Sequence, residues 1–296
     1  MSRSRVVVVR AAGLLDTGGP SRIAKAIGRG FELLTGERDE RQAALAVFRP
    51  DDRVGIKINT IGGREISTRP ELSLALAGWI SRNGPPEKNI IVWDRTNREL
   101  RDSGYRLADG GNGLRVFGTD TDGVGYDDEL VSHLNIGSRF SRIQTKLVTA
   151  SVSLAILKDH GLAGVTAGMK NYFGAIHNPN KYHDSRCNPF VAEVFDSPPV
   201  KTRHRLSILD ALVVQYHRGP AFHPQWAEKF GGLVLSLDPV AADRVGWALV
   251  ERFRAAKGLP SLAEEGREPV YLATAEAMGL GRADLKAVEW IEETVS

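Results

Sequence analysis

Residues 147–190 read LVTASVSLAILKDHGLAGVTAGMKNYFGAIHNPNKYHDSRCNPF, and the fold prediction rests mainly on this segment. The apolar, β-branched run from Val148 to Leu157 predicts a buried strand. The strand ends in the polar sequence Lys158-Asp159-His160-Gly161. In α/β sheets, ligands bind beyond the carboxyl ends of the parallel strands, so this stretch predicts both a parallel sheet and the position of its site.

Two earlier strands are also followed by polar residues. These strands are 53–59, which ends with Lys57 and Asn59, and 89–93, which is followed by Asp94 and Arg95. Between them, a helix is predicted to begin at Pro70, because proline is favoured at the first helical position. The strand–helix–strand order favours a mainly parallel sheet flanked by helices.

The rest of the pattern indicates a single α/β domain over residues 1–296, because no linker, repeat or low-complexity tract divides the chain. Residues 101–142 predict an irregular excursion, and Asp210 is expected to interrupt a strand at 205–214. The tail around Val288 fits either a strand or a helix. The other predicted elements are strands at 6–9 and 231–237, a helix capped by Ser21 after a turn at 18–20, a helix at 39–48 and a helix that begins at Asp238-Pro239.

The composition excludes several classes of protein. One cysteine, Cys187, is too few for an internal disulfide or for an iron–sulfur cluster held by this chain alone. The net charge of +3, with basic and acidic residues interspersed, does not indicate nucleic-acid binding. No apolar run approaches the roughly 20 residues of a membrane span, and the N-terminal valines are too few for a secretory signal. We therefore expect a globular, cytoplasmic protein.

A set of longer motifs adds a family resemblance. The motifs are 54–59 (VGIKIN), 157–166 (LKDHGLAGVT), 169–174 (MKNYFG), 219–220 (GP) and 237–241 (LDPVA). Together they resemble the bacterial and archaeal family called domain of unknown function 362, over nearly the whole chain. The resemblance implies no particular reaction, because that family is defined by sequence. Many of its members are fused to ferredoxin-type cysteine motifs or carry export signals, and neither is found in this sequence.

The family is also distantly similar to the lactate racemase group, whose members hold a nickel–pincer cofactor through lysine and histidine. Asp94 and Thr96 match the first and third positions of the Asp-x-Thr-Arg motif of that group. The next residue is Asn97 instead of arginine, so no residue role is carried over from that group to this chain.

Three histidines, His160, His177 and His183, come from one neighbourhood of the sequence. Neutral imidazole is a common metal ligand, so the three side chains are candidates for a divalent metal site, with Asp159 or Asp184 as a further ligand. Their spacing matches no metal motif. The alternatives are that one histidine is a general acid or base, or that all three only bond to the backbone of loops.

Three lysines lie in apolar surroundings near predicted strand ends: Lys57, Lys158 and Lys170. A buried lysine needs a partner. For Lys158 this partner is either a carboxylate, Asp159 or Asp210, or an anionic ligand, and we favour the ligand. A desolvated lysine can also have its pKa lowered enough to form a Schiff base, and the sequence does not separate these outcomes.

We therefore predict an enzyme that acts on a small carboxylate- or phosphate-bearing metabolite by lysine and histidine acid–base chemistry, with or without a metal, of lyase or isomerase type. A non-catalytic metal or anion carrier is one alternative. An oxidoreductase component with an external redox partner is another, although no dinucleotide fingerprint is present. An oligomer is possible. The predicted catalytic residues are His160, Lys158, Lys170 and His177, and the predicted substrate-binding residues are Lys57, Asn59, Asp94, Arg95, Thr166, Asn171, Asn180 and Lys181.

Overall fold

A computed structural model describes residues 3–11, 13 and 19–295. Ten strands form one sheet, in which the path β12-β1-β11-β9-β7-β2-β3-β4 is extended by β8 on β7 and β10 on β9. A separate two-stranded ribbon contains β5 and β6. The strands are β1 (Ser4–Ala11), β2 (Val54–Lys57), β3 (Ile90–Asp94), β4 (Arg115–Gly118), β5 (Val131–His133), β6 (Ile136–Ser138), β7 (Ala150–His160), β8 (Gly164–Thr166), β9 (His204–Gln215), β10 (Ala227–Glu228), β11 (Gly232–Ser236) and β12 (Val288–Val295).

The sheet is mainly parallel, as the sequence predicts. Strands β9, β7, β2, β3 and β4 pair in parallel, and so do β12 and β1. Strand β11 runs antiparallel to both of its neighbours, and the short strands β8 and β10 are antiparallel additions. The fold is therefore a mixed α/β domain around one large sheet.

Helices cover both faces of this sheet. They are α1 (Gly19–Thr35), α2 (Glu40–Leu45), α3 (Pro70–Asn83), α4 (Asn97–Asp102), α5 (Phe190–Asp196), α6 (Pro198–Lys201), α7 (Pro239–Ala256) and α8 (Tyr271–Ala277). The alternation of side chains along β1 shows the two faces: Val7 and Val9 pack in the cluster of α1 and α3, whereas Val6 and Val8 pack in the cluster of α7. None of the helices in the described ranges combines the length and apolar character that crossing a bilayer requires.

The helix starts follow the predicted capping chemistry with one exception. Pro70 is the first residue of α3, and the Asp238 side chain accepts a hydrogen bond from the Ala241 amide at the start of α7. The prediction that Ser21 caps α1 is wrong, because the helix already begins at Gly19. The predicted turn at 18–20 therefore falls partly on this helix, and its first residue, Gly18, lies outside the described residues.

Three other predictions need correction or refinement. Asp210 does not interrupt its strand, because β9 continues through it and the buried carboxylate accepts the Leu212 amide at 3.1 Å. The excursion at 101–142 is more regular than expected and contains β4, β5 and β6. The tail forms a strand, β12, which pairs in parallel with β1.

Strand β7 positions the site. All eleven of its residues are buried between β2 and β9, which is why its sequence is apolar almost throughout. Its last three residues extend past the end of β2 and pair with β8 instead, so that Lys158 lies opposite Thr166. Lys158 and His160 therefore lie at the carboxyl edge of the parallel strands, next to the ends of β2 and β3.

Candidate functional site

A cavity of about 360 Å³ opens at the carboxyl edge of the sheet. The residues predicted from the sequence that line it come from the ends of β2, β3, β7 and β8 and from the segment after β8. They are Lys57, Asn59, Asp94, Arg95, Lys158, His160, Thr166, Lys170, Asn171, Asn180 and His183. This position matches the general rule for ligand sites in parallel α/β sheets.

Two predicted site residues, His177 and Lys181, lie outside this lining. His177 is exposed, and its ring meets the edge of the Tyr126 ring at 5.1 Å between centroids. Lys181 is also exposed and lies over the Tyr182 ring at 5.6 Å. The reason is local: residues 170–187 form three short 3₁₀ helices, so their polar side chains turn in different directions.

Lys57, at the end of β2, forms a buried ion pair. Lys57 Nζ lies 2.6 Å from Asp94 Oδ1, and both side chains are almost completely buried. The other carboxylate oxygen of Asp94 accepts hydrogen bonds from the amide and the hydroxyl of Thr60, both at 2.7 Å. Gly174 leaves the necessary room, because a Cβ at that position would lie 2.8 Å from Lys57 Nζ.

Asn171 completes this group. Its side-chain oxygen accepts from Lys57 Nζ at 3.2 Å, and its amide donates to the Lys57 carbonyl at 2.8 Å and to Ser153 Oγ at 3.1 Å. Lys57, Asp94 and Asn171 are therefore engaged with one another and with the backbone. They form a rigid wall of the cavity, and their hydrogen-bonding capacity toward a ligand is largely used.

Lys158 has a different environment at the end of β7. Its side chain is 1% exposed, and its Nζ makes one long hydrogen bond, 3.4 Å, to the Ile66 carbonyl. Within the described part of the chain, no carboxylate lies within ion-pair distance of this amine. Burial, followed by the positive charge of Lys170, lowers the pKa of Lys158 to about 8.

The carboxylates that the sequence suggested as partners of Lys158 bond elsewhere. Asp159 points to the opposite face of the strand, where it pairs with Arg267 at 2.9 Å and accepts from the Gly219 amide at 2.7 Å. Arg254, which is fully buried, lies 3.9 Å from the same carboxylate. Asp210 accepts backbone amides. The alternative in which Lys158 pairs with Asp159 or Asp210 is therefore wrong, and the favoured partner, an anionic ligand, stays a prediction.

Lys170 and His183 form the second polar group of the cavity. Lys170 Nζ lies 3.2 Å from His183 Nε2, and it also lies 4.9 Å from the centre of the Phe173 ring. The other ring nitrogen of His183, Nδ1, donates to the Pro179 carbonyl at 3.0 Å, so the neutral ring presents Nε2 as an acceptor. Burial lowers the pKa of both groups, and the positive charge of Lys170 lowers that of His183 further.

His160 has the opposite tautomer. Its Nδ1 accepts from the backbone amides of Leu162 and Ala163, both at 3.2 Å, so the proton of the neutral ring lies on Nε2. Burial, followed by the charge of Lys170, lowers the pKa of His160 to about 2. The rings of His160 and His183 lie 6.1 Å apart. One neutral histidine therefore supplies an N–H donor to the site, and the other supplies an acceptor.

The predicted metal site of His160, His177 and His183 is not assembled. His177 lies outside the cavity, and the described residues include no group of three or more His, Cys, Asp or Glu side chains that could hold a metal. The tautomer of His160 is also unfavourable for metal binding. A metal on Nε2 would require a proton on Nδ1, which already faces two N–H donors.

The remaining polar lining includes an unpartnered acceptor. Asn59 Oδ1 is buried and makes no hydrogen bond within the described residues, whereas the Asn59 amide nitrogen of the backbone is held by Thr68 Oγ1. A buried acceptor without a donor is unfavourable, so this atom marks a position where a ligand can donate a hydrogen bond. Thr166, Arg95 and Asn180 complete the predicted part of the wall.

The sequence reasoning missed several lining residues: Ile61, Glu99, Gly161, Leu162, Phe173, Gly174, Pro179 and Pro220. Five of these residues belong to motifs on which the family resemblance rests, so those motifs could have indicated them: Gly161, Leu162, Phe173, Gly174 and Pro220. Ile61 and Leu162 are exposed apolar residues of the wall, and nothing in the periodicity of the sequence distinguishes them from other loop residues.

The fold and the cavity define a class: an α/β protein with a pocket of lysines and neutral histidines at the carboxyl edge of a parallel sheet. Residues 54–248, about two thirds of the chain, match the family model described as Domain of unknown function (DUF362). The chain belongs to this family. The matched region contains the whole lining of the cavity but not Arg254 and Arg267, which hold Asp159. No curated protein matches the sequence.

Proposed function

We propose that this protein is an enzyme that binds a small carboxylate- or phosphate-bearing molecule between Lys158 and Lys170 and acts on it by acid–base chemistry. One observation carries the proposal: these two buried lysines line the same cavity, and no described carboxylate forms an ion pair with either of them. Burying an ammonium group without a counter-ion costs several kcal/mol. A bound anion supplies the missing negative charge.

The two histidines support a proton transfer in the same cavity. A neutral His160 donates its Nε2–H to a carbonyl oxygen of the substrate and stabilises negative charge that develops there, as neutral imidazoles do in other enzymes. An anion that binds Lys170 draws the ammonium away from His183 and leaves its Nε2 free to accept a proton. A donor and an acceptor on one substrate suit a lyase or an isomerase.

A first experiment tests the binding of anions. We expect inorganic phosphate or a simple carboxylate such as acetate to raise the unfolding temperature at pH 7. Lys158→Met and Lys170→Met should each weaken this binding by about tenfold or more, because each removes a charge-assisted contact. Lys257→Met is the matched control, since the Lys257 side chain is half exposed and does not line the cavity. Absence of binding, or equal binding by all variants, would contradict the proposal.

A second readout separates an enzyme from an anion carrier. The protein is incubated in D₂O with a mixture of small carboxylic and phosphorylated acids, and the exchange of carbon-bound hydrogens is followed by NMR. An enzyme that transfers protons should exchange or convert at least one acid, and His183→Ala should abolish this effect while anions still bind. Anion binding without any exchange or conversion would support a carrier.

A further inference from the structure

The two lysines of the anion site are not equivalent. Lys170 is supported as a cation by the lone pair of His183 Nε2 at 3.2 Å and by the face of the Phe173 ring. Lys158 has only the long bond to the Ile66 carbonyl, although an ammonium group carries three donors. The contacts of Lys170 therefore favour its charged form more than the contacts of Lys158 do, so Lys158 is the lysine that gives up its proton more readily.

The space around Lys158 suits a reacting amine. Gly62 lies beside it, and a Cβ at that position would come within 3.0 Å of Nζ, so the absence of a side chain keeps the amine unobstructed on this side. The amine also lines the cavity, together with the N–H donor His160 two residues along the same strand. Residues two apart on a strand face the same side, so both groups are directed to one bound molecule.

We propose that Lys158 is a nucleophile that forms an imine with its substrate, and that the substrate is a small anion with an aldehyde or ketone group. This inference rests on the proposed function and names its substrate class. Lysines that act in this way are desolvated or lie next to another cation, and Lys158 meets both conditions.

Formation of this imine needs no oxidant or reductant. The lone pair of Lys158 Nζ attacks the carbonyl carbon, the π electrons move to the oxygen, and a proton moves from nitrogen to oxygen to give a carbinolamine. The nitrogen lone pair then forms the C=N bond as the hydroxyl group leaves with one further proton, so that an iminium ion and one water molecule result. The ammonium group of Lys170 supplies that proton, and His160 Nε2–H stabilises the oxygen during the attack.

Reductive trapping with glyoxylate tests this assignment on the whole chain. Glyoxylate is the smallest aldehyde that also carries a carboxylate, and sodium cyanoborohydride reduces its imines to stable adducts that peptide mass spectrometry locates. At pH 7.5 and limiting glyoxylate, we expect Lys158 to be modified at least about tenfold faster than the exposed Lys257, because burial lowers the pKa of Lys158 and its amine faces the cavity that binds the carboxylate of glyoxylate. Excess acetate, which has no aldehyde, should slow the modification of Lys158 alone.

Two variants sharpen the result. Lys158→Arg keeps a cation but removes the nucleophile, so the fast modification should disappear, whereas Lys257→Arg should leave it unchanged. Fast modification of Lys170 instead of Lys158, or equal rates at Lys158 and Lys257, would overturn the inference. If acetate and phosphate bind but Lys158 is not trapped, the imine is wrong and the anion site stands. If no anion binds and no trapping occurs, both proposals fail.

Discussion

Two neighbouring strand ends carry buried lysines with opposite electrostatic environments. Lys57, at the end of β2, has a carboxylate at 2.6 Å, whereas Lys158, on the adjacent strand β7, has only a carbonyl at 3.4 Å. Both side chains are 1% exposed, so burial does not distinguish them. The difference between the two lysines is therefore one of charge compensation, and the proposed function rests on this difference. The Lys57 group holds the strand ends together, and the Lys158 group remains electropositive.

The largest expected effect on stability comes from removing the counter-ion of Lys57. Asp94→Asn removes the counter-ion and leaves Lys57 as a buried, unpaired cation, so we expect a loss of about 3–5 kcal/mol in the free energy of unfolding, measured with urea at pH 7. Asp128→Asn is the control, because Asp128 is exposed and its pair with Arg142 should contribute less than about 1 kcal/mol. Similar small losses in both variants would mean that the Lys57 ion pair is not what stabilises this edge.

The next effect concerns Lys158, which has no counter-ion, and the dependence of protein stability on pH. The pKa of Lys158 is lowered from 10.5 to about 8 in the folded state, so the unfolded state binds more protons between these two values, and stability should rise with pH across that interval. The penalty below pH 8 is roughly 3 kcal/mol, because one pKa unit corresponds to about 1.4 kcal/mol.

Lys158→Met should remove this dependence. The variant is expected to be at least as stable as the wild type at pH 7, and its unfolding free energy should no longer increase between pH 8 and 10 on account of this residue. Lys257→Met should retain the wild-type slope. A destabilised Lys158→Met protein with an unchanged slope would show that Lys158 is compensated after all.

A smaller effect on stability is expected from a change in the packing around the Lys57–Asp94 ion pair. In Gly174→Ala the added Cβ would lie 2.8 Å from Lys57 Nζ and 3.2 Å from Asp94 Oδ1, so the ion pair must shift, and we expect a loss of about 1–3 kcal/mol in chemical denaturation. Gly137→Ala is the matched control, because a Cβ at Gly137 meets nothing within 4 Å. Equal stability of the two variants would mean that the Lys57 group tolerates displacement.

The sequence predicts the fold well because its signals are local. Apolar strand patterns that end in polar residues, together with Pro70 and Asp238 at helix starts, indicate a parallel sheet and the edge where side chains converge. The pairing of the lysines is not local. Lys57 meets Asp94 because β2 and β3 are neighbours in the sheet, which the chain order alone does not state.

Two errors in the predicted site have simple physical causes. Asp159 was considered as an alternative partner of Lys158, below an anionic ligand, but adjacent residues of a strand face opposite sides, so the alternation already excludes that pair. His177 was placed with His160 because they are close in the sequence, yet short 3₁₀ helices turn His177 outward. The tautomers of His160 and His183 depend on backbone groups of the turns that follow β7 and precede α5, and these are set only by the folded chain.

The position of β1 has a consequence for how the chain folds during synthesis. Within the described part of the chain, this strand, with its four consecutive valines, pairs with β11 and β12, which both follow it by a long stretch of sequence. Contacts such as that between Arg5 and Glu289, 284 residues apart, form only after β12 has been synthesised. Until β11 has been synthesised the valine strand has no native partner, and an unpaired apolar strand favours aggregation of the nascent chain.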